Sequence, residues 1–391
     1  MTARLTQNPS INLMTDSSFD VLIAGGGVIG LTTGILLAEG GLRVAIFDQS
    51  LMGTESSWAG AGILSPPQCG PEANELDQLR SHSVRGLASF SAELDHLTGI
   101  NNGFSICGGL IIPDANENHE KWPTEWKKNG IAFIKPDYPH AFLTKYGLST
   151  FNSEVYWLPE KGQIRNPWHM RALLARLNQL GVRLFEKTEV LDWGLCSNGQ
   201  IRSFITAAGE FHSSWFILCA GSWSGDLARK LGVNVPVTPV KGQIILYQGQ
   251  VGLLPGIIEQ GKRYLVPRSD GRILCGSTEE YSGFDKTCNP ESVSQLHEWA
   301  ATIAPILKNC PIEQKWTGLR PGSRDNAPYL CFIPNQKQAI LASGHFRSGL
   351  QLSWGSADLI SREILQKKKP INLKAFSLDR PCGALMGMFK N

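Results

Sequence analysis

The first apolar run, Asp20-Val21-Leu22-Ile23-Ala24, is too short for a helix and stops at glycines, which predicts a buried parallel strand. From Val28 to Glu39 leucine, isoleucine and alanine dominate, predicting a helix that Gly40-Gly41 ends. Leu42 to Phe47 predicts a second strand that closes on Asp48. Strand, helix and strand within about 30 residues form a βαβ unit. Helical spacing returns from Leu76 to Leu97 and from Asn166 to Leu180, where Pro167 marks the start. Gly108 to Pro113, Val182 to Phe185 and Trp215 to Leu218 predict strands, the last running into a second strand-to-turn junction at Ala220-Gly221. Between Val240 and Ser277 strands alternate with turns, and Ser269-Asp270-Gly271 predicts a type I′ hairpin. A helix follows at Pro290 to Ala304. Ala339 to Ala342 predicts a strand, then a glycine-rich turn, then a helix from about Gly349 to Gln366. No internal period marks a repeat architecture.

At 391 residues the chain exceeds one ordinary core, so two domains are expected. The 41 glycines sit in short turns, which fits many strands with tight connections. The net charge is +3, and the one basic block, Lys367-Lys368-Lys369, reads as a solvated helix end. Nucleic-acid binding is not expected. Nine cysteines lack C-x-x-C spacing, and the odd count argues against a disulfide framework. Free thiols in a reducing cytoplasm fit best. No stretch approaches the roughly 20 apolar residues of a membrane span, and residues 1–18 read as a flexible polar extension. The histidines show no metal-ligand spacing, so no metal site is expected.

Gly25-x-Gly27-x-x-Gly30 lies between the first strand and the helix. The first glycine permits the tight turn, the second lets backbone approach a pyrophosphate, and the third lets helix pack on strand. The helix N-terminus then offers N–H groups and a positive dipole to phosphates. Asp48 stands where a carboxylate can accept hydrogen bonds from a ribose diol and disfavour an extra phosphate. The turn alone does not separate FAD from NAD. Ser56-Ser57-Trp58-Ala59-Gly60-Ala61-Gly62-Ile63-Leu64, a run of small residues and hydroxyls, can pass close under a bulky planar ring; by itself it would also read as an ordinary loop.

Near the other end, Gly318-Leu319-Arg320-Pro321-Gly322 and Gly344-His345-Phe346-Arg347-Ser348-Gly349 each set an arginine among glycines. A guanidinium fork bonds both oxygens of a carboxylate. The second segment is expected to open a helix whose dipole would stabilise negative charge on a reduced flavin.

Together these segments, with Tyr264-Leu265-Val266-Pro267-Arg268 and Gly276-Ser277-Thr278, resemble the D-amino-acid oxidase family of flavoenzymes, above all its glycine-oxidising members of the thiamine pathway. The resemblance runs from about Phe19 to Leu365 and implies an α/β fold, α+β overall. A Rossmann-type FAD-binding domain (19–90, 160–237 and 320–370) would carry a substrate domain with an antiparallel sheet (91–159 and 238–319), with 371–391 as a C-terminal tail. It implies that Val28, Ile29, Asp48, Gln49, Ser56, Ser57, Ala61, Gly62 and Ile63 hold FAD beside the three glycines, and that Val190 meets the adenine through its backbone. His345, Phe346, Arg347, Ser348, Gly349, Leu350 and Gln351 would line the flavin ring. Arg320 and Arg347 would take the substrate carboxylate under Tyr264, with glycine or a similar small amino acid as substrate and dioxygen as acceptor. Hydride would leave the neutral amine for the flavin, and water would split the imine into a 2-oxo acid and ammonia.

Two departures stand out. Glu279 occupies a position where the family tends to place an apolar residue; it would pair with an ammonium or point to solvent. Relatives that attach flavin covalently use a cysteine just upstream of the position of Asp325, where this chain has Gly318, so non-covalent FAD is expected. A dehydrogenase passing electrons to a quinone or carrier is the rival enzyme, and a non-catalytic flavoprotein the rival outside catalysis. Association into homo-oligomers stays open.

Overall fold

The computed structural model describes residues 18–71, 73–114, 117–151 and 154–382. The expected N-terminal extension therefore lies, save Ser18, outside the described residues. So does the expected tail beyond Cys382. Residues before that point pack onto the fold: Phe376 is buried, and Arg380 holds Asp325 at 2.8 Å.

Among the described residues one sheet has eight strands and the mixed α/β character expected. Its main path runs Tyr329–Phe332, Ala339–Ser343, Gly209–Leu218, Ser18–Ala24, Val44–Phe47 and Arg183–Phe185. All neighbours pair in parallel except the Tyr329–Phe332 edge. The strand Ser18–Ala24 is central, and its residues Val21 to Ala24 are apolar and buried on both faces, as a parallel strand between helical layers must be. The helix Val28–Glu39 has no polar stripe because it is covered nearly all round, lying against the helices Asn166–Gln179 and Ser353–Ile364.

A second sheet has seven described strands in the order Ile312–Gly322, Thr238–Tyr247, Ile273–Gly276, Arg263–Pro267, Ile257–Gln260, Gly109–Ile112 and Tyr156–Leu158. It is antiparallel except where Gly109–Ile112 meets Ile257–Gln260. Strand alternation gives it two different faces. Ile245, Ile258, Leu265 and Cys275 turn toward the helix Pro290–Ile303, which caps that face with Val293, Leu296 and Trp299. Ile244, Ile257, Tyr264 and Val266 turn the other way, toward Ala61 and Ile63.

Two local expectations change. The hairpin at 268–272 exists, but only Gly271 has positive φ (87°), whereas type I′ needs it at both central residues. The bonds Gly271 N–H to Arg268 O and Arg268 N–H to Arg272 O instead close a three-residue loop ending in a left-handed glycine. The last long helix starts at Ser353 rather than Gly349, because residues 346–348 form a 3₁₀ turn first.

Candidate functional site

One large cleft runs between the parallel sheet and the second sheet. It holds about 2160 Å³ free of protein atoms, its open mouth included. The enclosed part is about 390 Å³, within the roughly 300–1,000 Å³ usual for ligand clefts. The glycine turn, Asp48 and Val190 line one end, Arg320 and Tyr264 another part.

Each turn glycine is there for a steric reason. Gly25 has φ +117°, and a Cβ on it would sit 2.3 Å from Cys219 O. A Cβ on Gly30 would lie 2.0 Å from Gly25 O, so this residue faces the turn and not the cleft. A Cβ on Gly27 would meet Ser57 Oγ at 3.1 Å. That hydroxyl accepts the Val28 N–H at 2.9 Å. Gly27 offers no capping side chain of its own and the first turn holds no acidic residue, so apart from the Ser57 bond the positive end of the helix faces the cleft. Asp48 accepts N–H bonds from Gly26 and Ser50, both at 2.8 Å, and still lines the cleft beside Gln49. Burial pushes its carboxyl above the ordinary value, against those two bonds.

Of the small-residue run, Ser56, Ser57, Ala61, Gly62 and Ile63 line the cleft, but Trp58 and the buried Leu64 do not; the Trp58 ring lies edge-on to Trp316 at 5.4 Å. Gly62 has φ +70°, and a Cβ there would lie 2.0 Å from Ile164 O. Arg268, buried, fixes this run by donating to Ala61 O at 2.7 Å, Gln163 Oε1 at 2.6 Å and Ile164 O at 3.2 Å. Burial, first of all, draws its pKa down to about 10.

Residues 345–351 line the same cleft. Phe346 takes a left-handed φ of 47°, unusual for a bulky residue and a mark of local strain. His345 is buried, shares a hydrogen bond with Ser356 Oγ at 3.0 Å and has its pKa drawn down to about 3 by burial. It is neutral at physiological pH. Gln351 Nε2 donates to Ser65 O at 3.3 Å.

Both arginines reach the cleft. Arg320 donates to Ser277 Oγ at 2.5 Å and Thr278 O at 3.2 Å. Gly242 makes room for it, since a Cβ there would lie 2.2 Å from the guanidinium. Burial lowers the Arg320 pKa, Tyr264 opposes that, and the charge of Arg347 adds to it. Arg347 donates to Lys262 O at 3.3 Å. The Tyr264 ring lies across Gly276, where a Cβ would sit 2.3 Å from it.

Glu279 pairs with an ammonium, that of Lys262, and does not point to solvent. It lies off the main cleft, its side chain only 13% exposed, with Lys262 Nζ at 2.9 Å and Arg347 Nη2 at 3.7 Å. Burial alone would raise its pKa, but the bond from Lys262 and the nearby cations outweigh burial and hold it below the ordinary value.

Cleft residues that sequence reading gave no role include Cys219, Trp223, Asn166, Glu259 and Ser343. No group of three or more potential metal ligands occurs among the described residues, and none of their helices is long and apolar enough to cross a membrane. All nine cysteines are free thiols.

Residues 20–363 match the family described as FAD dependent oxidoreductase. A glycine oxidase of Pseudomonas aeruginosa is 35% identical over 353 residues, covering 90% of this chain and 96% of its own. A bifunctional protein ThiO/ThiG of Synechocystis is 30% identical over 370 residues, covering 92% of this chain and 54% of its own. Among solved structures, glycine oxidase from Geobacillus kaustophilus superposes with a TM-score of 0.87 at 29% identity, covering 93% of this chain and 99% of its own.

Proposed function

The chain belongs to the FAD dependent oxidoreductases, and from that premise we propose that it oxidises glycine or a similarly small amino acid with dioxygen as acceptor. The observation that carries this reading is the pair Arg320 and Arg347 on the same cleft as the Gly25–Gly30 turn. The cleft fits the cofactor: the start of the helix Val28–Glu39 lines it, no acidic residue stands in that helix's first turn, and the turn before it has no room for a Cβ at Gly25. FAD, when bound, supplies the two-electron acceptor.

Gly27, Val28, Ser57 and Asp48 hold its pyrophosphate and ribose, Val190 its adenine side, and residues 61–63 and 345–351 its ring. Arg320 and Arg347 pin the substrate carboxylate, so the α C–H is presented in one orientation and the amine is turned to the cleft wall. Tyr264 covers the substrate and bonds Arg320. The imine product is split by water into a 2-oxo acid and ammonia, with hydrogen peroxide as the second product. In the same reading the two sheets belong to a cofactor domain and a substrate domain, the free thiols fit a cytoplasmic setting, and the activity serves thiamine synthesis, as the name of the Synechocystis relative suggests.

A peroxide-coupled screen of glycine, sarcosine, D-alanine and D-proline tests this. Peroxide with glycine is expected. Turnover that needs an artificial electron carrier and yields no peroxide would assign a dehydrogenase instead.

A further inference from the structure

The cleft wall contains a charged pair that the clamp and the cofactor cradle leave unused. Lys161 is buried, its side chain 2% exposed, and its ammonium pairs with Glu259, whose side chain is 24% exposed and lines the cleft. A buried ammonium is costly unless a carboxylate meets it. The sheet is shaped to allow the meeting. Gly109 lies beside Ile257 in the parallel register, and a Cβ on Gly109 would come within 2.3 Å of Lys161 Cδ. The missing side chain is the slot through which the lysine stem reaches Glu259.

The direction of Glu259 follows from register. It stands opposite Tyr264 in the antiparallel pair Ile257–Gln260 with Arg263–Pro267. Directly opposed residues share a face and stand about 4.5–5.5 Å apart at Cβ. Glu259 therefore faces the cleft next to Tyr264, which itself contacts Arg320. Lys161 occupies Oε2, and among the described residues no partner is recorded for Oε1.

We infer that Glu259, anchored by Lys161, is the group that accepts the substrate's amine and so selects amino acids over other small carboxylates. The inference rests on the amino-acid reading of the cleft. Arg320 and Arg347 recognise any carboxylate; an anionic acceptor beside Tyr264 adds the demand for a nitrogen that carries hydrogens. The other glutamates of this region, Glu279 and Glu280, lie off the cleft, the first paired through Oε1 with Lys262 and the second with Lys241.

The test uses the flavin-loaded full chain, reduced with dithionite under nitrogen so that ligands bind without turnover. Glycine and glycolate, alike except for ammonium against hydroxyl, are titrated by calorimetry into wild type and Glu259→Gln. The glutamine keeps an oxygen for Lys161 but removes the charge. Wild type should favour glycine, and E259Q should weaken glycine by about tenfold or more while glycolate shifts by less than about threefold. Equal weakening of both ligands with a lowered Tm would mean a purely structural pair and overturn the inference. So would an unchanged preference. Wild type that binds neither ligand would instead overturn the amino-acid reading itself.

Discussion

Arg347 Nη2 stands 3.7 Å from Glu279 Oε2, so one of the two guanidiniums at the cleft already has an anionic neighbour before any ligand arrives. An incoming carboxylate competes with Glu279 for that charge. Glu279→Gln should therefore tighten binding of simple carboxylates such as glycolate by about three- to tenfold, the worth of roughly 1 kcal/mol in a partly exposed pair. Titration followed by flavin absorbance reads this directly, and weaker binding would contradict it.

Arg320 is held by Ser277 and Thr278, bonds that would fix its guanidinium for the proposed clamp. Arg320→Ala should cut kcat/KM for glycine by at least about 30-fold, chiefly through KM, as removal of a desolvated charged partner costs about 2–5 kcal/mol. Arg320→Lys should restore only part of this, because a point charge cannot keep both contacts and bind a carboxylate with two parallel bonds. Steady-state kinetics across a wide glycine range decides it.

The contact between Gly30 and the Gly25 carbonyl leaves no space for a methyl group. Gly30→Ala should lower stability by about 1–3 kcal/mol, the usual cost of overpacking, and purify with reduced flavin content. Thermal melts together with the ratio of flavin to protein absorbance would show both effects. Normal flavin content would argue against this turn as the phosphate site.

Two buried histidines make the fold acid-sensitive. Burial draws His345 down to about 3 and His169 to about 4. Both stay neutral in the fold at pH values where the unfolded chain, with histidine near 6.5, takes up protons. The unfolded state then binds more protons, so stability falls as pH drops below about 6.5, by up to about 1.4 kcal/mol per pH unit for each group. Urea midpoints between pH 7 and 4.5 should show this slope, and His169→Asn should reduce it by about one proton.

Cys219 is the cysteine that lines the cleft, and burial, with the Asp48 charge, pushes its thiol pKa far up. A protonated thiol beside the glycine turn is a poor nucleophile. Acid precipitation should accordingly leave a colourless pellet and yellow supernatant; a yellow pellet would mean a covalent link.

The parallel sheet was legible because its strands are short apolar runs punctuated by glycine, and Val28–Glu39 was read to the residue. The arginines and glycines of the cleft were legible for a chemical reason, since guanidinium forks and missing Cβ atoms have few substitutes. Three things were hidden. Trp58 sits in the right segment but turns to Trp316, and rotamer choice leaves no mark on spacing. Glu279 looked like a substrate contact because its two cationic neighbours come from residues 262 and 347. Glu259 was passed over because its meaning depends on a strand register and on the empty place at Gly109, neither of which a single segment contains.

The strand order of the parallel sheet also constrains how the protein is made. Ser18–Ala24 lies between Val44–Phe47 and Gly209–Leu218, and the latter is flanked in turn by Ala339–Ser343. The edge of Ser18–Ala24 that faces Gly209–Leu218 thus waits for a partner translated much later, with a long loop to close before those contacts form. Until residue 343 has emerged, an apolar strand edge stays open to other chains. Fragments cut anywhere before that point should aggregate, and recombinant yield should respond more to slower synthesis or lower temperature than to changes in surface charge.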